Sequence, residues 1–151
     1  MRKTILGAVL LVLLSTTAFA GPKEEAFQVL EQWTKAFNAS DVDAIVKLHA
    51  SDALFLGTSS QTVVTRTEDI RKYFERALKS DMPRGAVFSD YSSMVLSDTA
   101  VLFTGLSASS RTREGKTITS QGRATFVIAK RTEGWRIVHF HRSPKPSSPV
   151  R

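Results

Sequence analysis

VFSDYSSMVLSDTAVLFTGLSASSRTREGKTITSQGRATFVIAKRTEGWRIVHFHR, residues 87–142, is dense in β-branched and aromatic residues. Turn-forming pairs cut it at Ser97-Asp98, Glu114-Gly115 and Glu133-Gly134. The pieces left, 87–96, 100–107, 117–130 and 135–142, have strand length, and their short connections join neighbours. The stretch therefore predicts a four-stranded antiparallel meander. Its faces carry a second message. On the last strand Trp135 and Ile137 share one side, and Val138 and Phe140 the other. On the strand before, Thr125 and Val127 oppose Ala124, Phe126 and Ile128. An antiparallel sheet with one wet face alternates apolar and polar residues, and this one does not. Helices cover one face, so a second copy of the chain is expected over the other, giving a homodimer or a larger homo-oligomer. Trp135, Ile137, His139 and His141 are its candidate interface residues.

Upstream the period changes to 3.6. Residues 24–38 read as a helix with Ala26, Leu30, Trp33 and Phe37 on one stripe. A second helix opens at Asp41 with Ser40 as N-cap, and Val42, Ile45, Val46 and His49 line one face. Residues 53–57 read as a short strand. A third helix follows Thr67 as N-cap, with Ile70, Tyr73, Phe74, Ala77 and Leu78 as its stripe. Helices first and a meander second is an α+β plan.

The chain opens with Arg2 and Lys3, an apolar run at 5–14, and Ala18-Phe19-Ala20, the pattern of a cleavable export signal. The run is far short of the roughly 20 residues that span a bilayer, so no stable membrane anchor is expected. Cleavage after Ala20 leaves an exported, periplasmic or secreted, protein of 131 residues, one domain's worth. The domain is expected at 21–142. Residues 143–151 hold three of the five prolines and read as a tail. The exported chain has a net charge of +5, which favours anionic partners weakly. It has no cysteine, which excludes disulfides, thiolate chemistry and zinc-thiolate sites.

LEQWTKAFNASDVDAIVKLH, beginning at Leu30, with DALF at Asp52, resembles the opening of the nuclear-transport-factor-2-like superfamily, also known as SnoaL-like or DUF4440. GWRIVHFHRS, Gly134 through Ser143, resembles the end of the calcium/calmodulin-dependent kinase II association domain, and Tyr73-Phe74-Glu75 fits the same branch. The resemblance implies a cone: a strongly curved antiparallel sheet wrapped around N-terminal helices, with a pocket at its open end and dimerisation through the sheet's outer face. It also implies an arginine-lined pocket that takes small carboxylates. Arg142 matches one of those arginines, whereas Leu106 and Phe126 stand at the places of the other two. Arg123 resembles an arginine of bacterial relatives. Ketosteroid isomerase and scytalone dehydratase share the fold, but here Trp33 replaces the isomerase's donor tyrosine and Gly57 its base aspartate. Gly122 and Arg123 occupy the neighbourhood of its protonated acid. No catalytic set carries over.

A guanidinium among apolar side chains grips a carboxylate or phosphate bidentately, unless Glu31 or another internal acid satisfies it. Arg142 and Arg123 are the candidate ligand-binding cations, with Trp33, Tyr73 and Tyr91 as pocket walls. His139 and His141 project to one face, but no acid at matching spacing completes a ligand set, so no metal is expected. No cofactor motif, nucleophile elbow or glycine-rich phosphate loop is present in the sequence, and Ser59-Ser60 and Ser107 to Ser110 read as loops. Arg111, Arg113 and Lys116 read as a solvated hairpin tip rather than a nucleic-acid patch. The leading expectation is a self-associating module that binds a small anionic or amphipathic molecule. The rivals are a SnoaL-like isomerase, lyase or hydrolase, and a pure assembly protein.

Overall fold

The structure, a computed structural model, describes residues 20–78 and 84–147. Its elements in chain order are α1 (Pro22–Asn38), α2 (Val42–Leu48), β1 (His49–Leu56), α3 (Thr67–Ala77), β2 (Arg84–Ser97), β3 (Ala100–Arg113), β4 (Lys116–Arg131) and β5 (Gly134–Pro144). The predicted meander is present as β2 to β5, with every strand longer than expected. β1 begins at His49, four residues early, and pairs parallel to β5, so the sheet order is β1-β5-β4-β3-β2 and one edge is not antiparallel. The sheet is curved and open, and wraps around the helices as an α+β architecture. The expected export segment lies outside the described residues except for Ala20. At the other end β5 runs past residue 142 to Pro144, and the Lys145 amide donates to the Gln121 carbonyl at 3.1 Å.

Two of the expected helix caps differ. Ser40 does not open α2; it sits at φ 54° and closes α1. Its amide donates to the Phe37 carbonyl and the Asp41 amide to the Ala36 carbonyl, the paired bonds of a Schellman motif. Asp41 then caps α2 by accepting from the Ala44 amide at 2.9 Å. Thr67 is the first helical residue of α3, and Arg66 before it makes no side-chain cap.

Two of the sheet's register shifts matter most for where side chains point, each placing an extra residue on one strand. In β2, Asp90 and Tyr91 bulge between Ser89 and Ser92, with Asp90 at φ 45°. Gly105 lies beneath the bulge, where a Cβ would stand 2.7 Å from the Tyr91 Cα. In β5, Ile128 pairs with Ile137 while Val127 pairs with His139, so Val138 is the extra residue. This second bulge overturns the strict alternation read from the sequence. Ile137 and Phe140, three apart, both point to the helices and are 0% and 4% exposed. Ile137 is therefore core and cannot serve an interface. Trp135, half-buried on the helix side, donates its indole N–H to the Glu25 carboxylate of α1. That also removes it from the outer face. His139 and His141 remain on the outer side of β5 and half-exposed.

The core between helices and sheet is mostly aromatic. The Trp33 ring centre lies 5.2 Å from Phe126 and 5.5 Å from Phe140, and Phe55 lies 5.2 Å from Phe140 and 5.4 Å from Phe74. Asn38, the last residue of α1, accepts from the Ala86 amide at 2.6 Å and donates to its carbonyl at 3.2 Å. This side-chain amide pairs the free edge of β2 and fixes the helix end over the open end of the sheet.

Candidate functional site

The helices leave part of the inner sheet face uncovered, and a cavity of about 500 Å³ remains there. Buried Trp33, Phe74, Phe126 and Phe140 form its floor, and Phe37, Tyr73 and Phe88 add further aromatic wall. The polar lining is rich in hydroxyls: Thr58 and Ser59 from the loop after β1, Ser107, Ser109 and Ser110 from β3, and Ser120 from β4. The serines at 107–110, expected in a loop, are thus part of a strand. Three cations line the cavity, namely Arg142, Arg111 and Arg76, and among the described lining residues there is no Asp, Glu or His.

Arg142 sits at the wall where β5 meets β4. Its Nε donates to Ser107 Oγ at 3.1 Å, Nη1 to Thr58 Oγ1 at 2.7 Å and Nη2 to the Ser120 carbonyl at 3.0 Å. All three partners are neutral, and Glu31, the internal acid considered as a partner, is exposed elsewhere on α1. Burial lowers the Arg142 pKa, the Tyr73 hydroxyl opposes that shift, and the group stays charged at any ordinary pH. Of its five N–H donors two make no hydrogen bond among the described residues, one on each Nη. The Ser107 and Thr58 hydroxyls accept from the guanidinium, so their own protons are free to donate outward. Four donors of this kind, and no acid among the described lining residues, suit an acceptor-only group such as a carboxylate.

Two glycines make this arrangement possible. At Gly122 a Cβ would lie 2.7 Å from Arg142 Nη2 and 2.9 Å from the Ser143 carbonyl oxygen, so the guanidinium lies across bare backbone. At Gly57 a Cβ would collide with the Tyr73 ring. Gly122→Ala is expected to push the Arg142 head off Ser107 and lower the thermal midpoint, at a cost of about 1–3 kcal/mol as overpacking. Thermal denaturation of the variant, with a ligand titration beside it, checks this. An unchanged midpoint together with unchanged affinity would be the contrary result.

Of the residues singled out from the sequence, Arg142, Trp33 and Tyr73 meet at this cavity, and two do not. Arg123 pairs with Leu106 and Ser143 on the outer face, exposed, and donates to Ser143 Oγ at 3.3 Å. One residue of strand separates it from Ala124, which faces the cavity, and that parity alone decides its side. Tyr91 belongs to the β2 bulge and stacks on Phe27 at 5.5 Å and Phe88 at 5.6 Å, outside the lining. Arg111, expected at a solvated hairpin tip, lies in β3 and lines the cavity instead, and Arg76 joins it from α3. Arg111 shares parity with Ser107 and Ser109, but the predicted strand stopped at 107. Arg76 stands three residues after Tyr73, on the same face of α3. Among the described residues no group of three or more metal-ligating side chains gathers. His49, expected on the α2 face, caps that helix instead and is 6% exposed in the core.

An open curved sheet around N-terminal helices is the nuclear-transport-factor-2-like architecture. The sequence profile of the calcium/calmodulin dependent protein kinase II association domain matches residues 22–146, and the chain belongs to that family. It is 30% identical over 132 residues to the delta subunit of calcium/calmodulin-dependent protein kinase type II from Oryctolagus cuniculus, matching over 85% of this chain. The match spans only 25% of that relative's length. A solved structure from Xanthomonas campestris, described as a calcium/calmodulin dependent protein kinase II association domain, superposes with a TM-score of 0.75 at 27% identity. It covers 91% of this chain and 100% of its own. A scytalone dehydratase-like structure from Novosphingobium aromaticivorans shares the fold at 11% identity, TM-score 0.71, over 85% of this chain and 89% of its own.

Proposed function

We propose that this chain is an exported, self-associating module of the association-domain family whose cavity binds a small, amphipathic, anionic molecule. The observation that carries the reading is Arg142: a half-buried guanidinium held by two hydroxyls and a carbonyl, with no carboxylate partner among the described residues, facing a cavity with an aromatic floor. An anion there gains two charge-assisted N–H bonds and two hydroxyl donors, while its apolar body covers Trp33, Phe126 and Phe140. An enzymatic reading would rest on Tyr73 as its proton carrier, because no carboxylate or imidazole lines the cavity among the described residues.

Biphenyl-4-carboxylate is a suitable probe. At about 100 times its Kd it should stabilise the protein by about 2.7 kcal/mol, read as a rise in thermal midpoint. Arg142→Ala should abolish that rise, and Arg142→Lys should restore only part, since an ammonium cannot form the planar fork. A rise that survives Arg142→Ala would overturn the reading.

Self-association has its support on the outer sheet face. One ladder row runs Met94, Leu102, Val127, His139, Leu54 across all five strands, with Met94 61% and Leu54 49% exposed. Such a row is apolar except for one imidazole, which suits burial against a second copy. Sedimentation equilibrium at micromolar concentration should give at least twice the chain mass, and Leu102→Glu should return it to one.

A further inference from the structure

Arg142 does not account for the whole cavity. It lies at one wall of a cavity of about 500 Å³. Arg111 and Arg76 line the same space, are exposed, and make no ion pair among the described residues. Elsewhere on the surface Arg66, Arg71 and Arg131 each hold a carboxylate: Arg66 reaches Glu68 and Asp69, Arg71 reaches Asp43, and Arg131 reaches Asp52. Among the described residues, no acid lines the cavity.

Strand geometry relates the two charged places. Ser107, which accepts from Arg142, and Arg111 lie four residues apart on β3 and share a face, so their Cα atoms are about 13 Å apart. Between those levels the sheet presents Ser109, paired with Ala86 and Ser120. The Arg142 end is a hydroxyl-lined cradle, Arg111 stands exposed at the other level, and Arg76 of α3 lines the same cavity. We infer that the ligand carries two anionic groups at opposite ends of an apolar body, one seated on Arg142 and the other on Arg111 and Arg76. This rests on the proposed binding function and specifies its ligand class, a two-headed dianion.

The test compares biphenyl-4-carboxylate with biphenyl-4,4′-dicarboxylate by calorimetry on the exported chain. The dicarboxylate should bind roughly tenfold more tightly, the gain expected of a second charge-assisted contact. In the Arg76→Gln/Arg111→Gln double variant the ratio between the two probes should fall to about one. Arg142→Ala should weaken both probes. Equal affinity of the two probes in the parent protein, with binding still lost in Arg142→Ala, would overturn the dianion and leave the binding function standing. Failure of both probes to bind would overturn the binding function and the dianion with it. Because Arg76 and Arg111 are exposed and make no ion pair among the described residues, the double variant should keep the parent's thermal midpoint, which separates lost binding from lost fold.

Discussion

Phe55→Ala is expected to destabilise the protein by about 4 kcal/mol, at the upper end of what single truncations do. Phe55 is 0% exposed, and its ring centre lies 4.8 Å from Tyr73, 5.2 Å from Phe140, 5.4 Å from Phe74 and 6.0 Å from His49. Removing the ring discards its transfer free energy and leaves a sealed void, since Phe55 does not line the open cavity. Phe140→Ala makes the informative comparison. Phe140 also touches Trp33 and Phe126, but it lines the cavity, so the vacated volume joins space already open to solvent. Its cost should fall nearer 3 kcal/mol, because the cavity penalty is smaller when the void is not sealed. Urea denaturation measures both, with the slope expected to stay at the parent value. A domain of this size has roughly 5–15 kcal/mol in all, so Phe55→Ala removes about a quarter or more of it. Equal costs for the two variants would show that the cavity does not communicate with the space beneath Phe140.

Periodicity carried far in this chain because most of its strands and helices are regular. The stripe of Ala26, Leu30 and Trp33 is buried as read, and the meander has the expected connections. Legibility failed where one residue breaks a period. Val138 is inserted into β5 without any glycine or proline to mark it, so Ile137 moved from an expected interface to the core. β1 reads as a separate fragment because its pairing to β5 is long-range and parallel, which no local pattern encodes. At the site, Arg142 is legible because a family motif contains it, and Trp33 and Tyr73 because they sit on helix stripes. Arg123 is expected in the pocket only from its resemblance to an arginine of bacterial relatives, and its parity with Thr125 and Val127 puts it on the outer face. Arg111 reads as part of a hairpin tip because the predicted strand ends at 107, six residues short of Arg113, and strand ends are set by partners across the sheet.

Acid should unfold this protein through His49. Its Nδ1 lies 2.9 Å from the Ile45 carbonyl, which fixes the proton on that nitrogen. Nε2 is buried with no partner, and the ring lies 6.0 Å from Phe55 and 6.1 Å from Phe74. Burial penalises the imidazolium and pushes the pKa down from 6.5 to about 4, a shift the Ile45 bond only partly opposes. In the unfolded chain the imidazole returns to its ordinary value near 6.5. Between the two values the unfolded state therefore binds more protons than the folded one, and stability rises with pH. The contribution is complete above about pH 6.5 and is lost as pH falls through 4, to a total of about 3 kcal/mol. Denaturant midpoints measured from pH 7 to pH 4 should trace that loss in the parent protein. His49→Leu, which cannot titrate and fits the same apolar surroundings, should be flatter over this window by about the same amount. Exposed carboxylates titrate alike in both proteins, so the difference between the two curves isolates the imidazole. Parallel curves would mean that water reaches Nε2 in the folded state, and that the space around Phe55 and Phe74 is wetter than the packing of their rings implies.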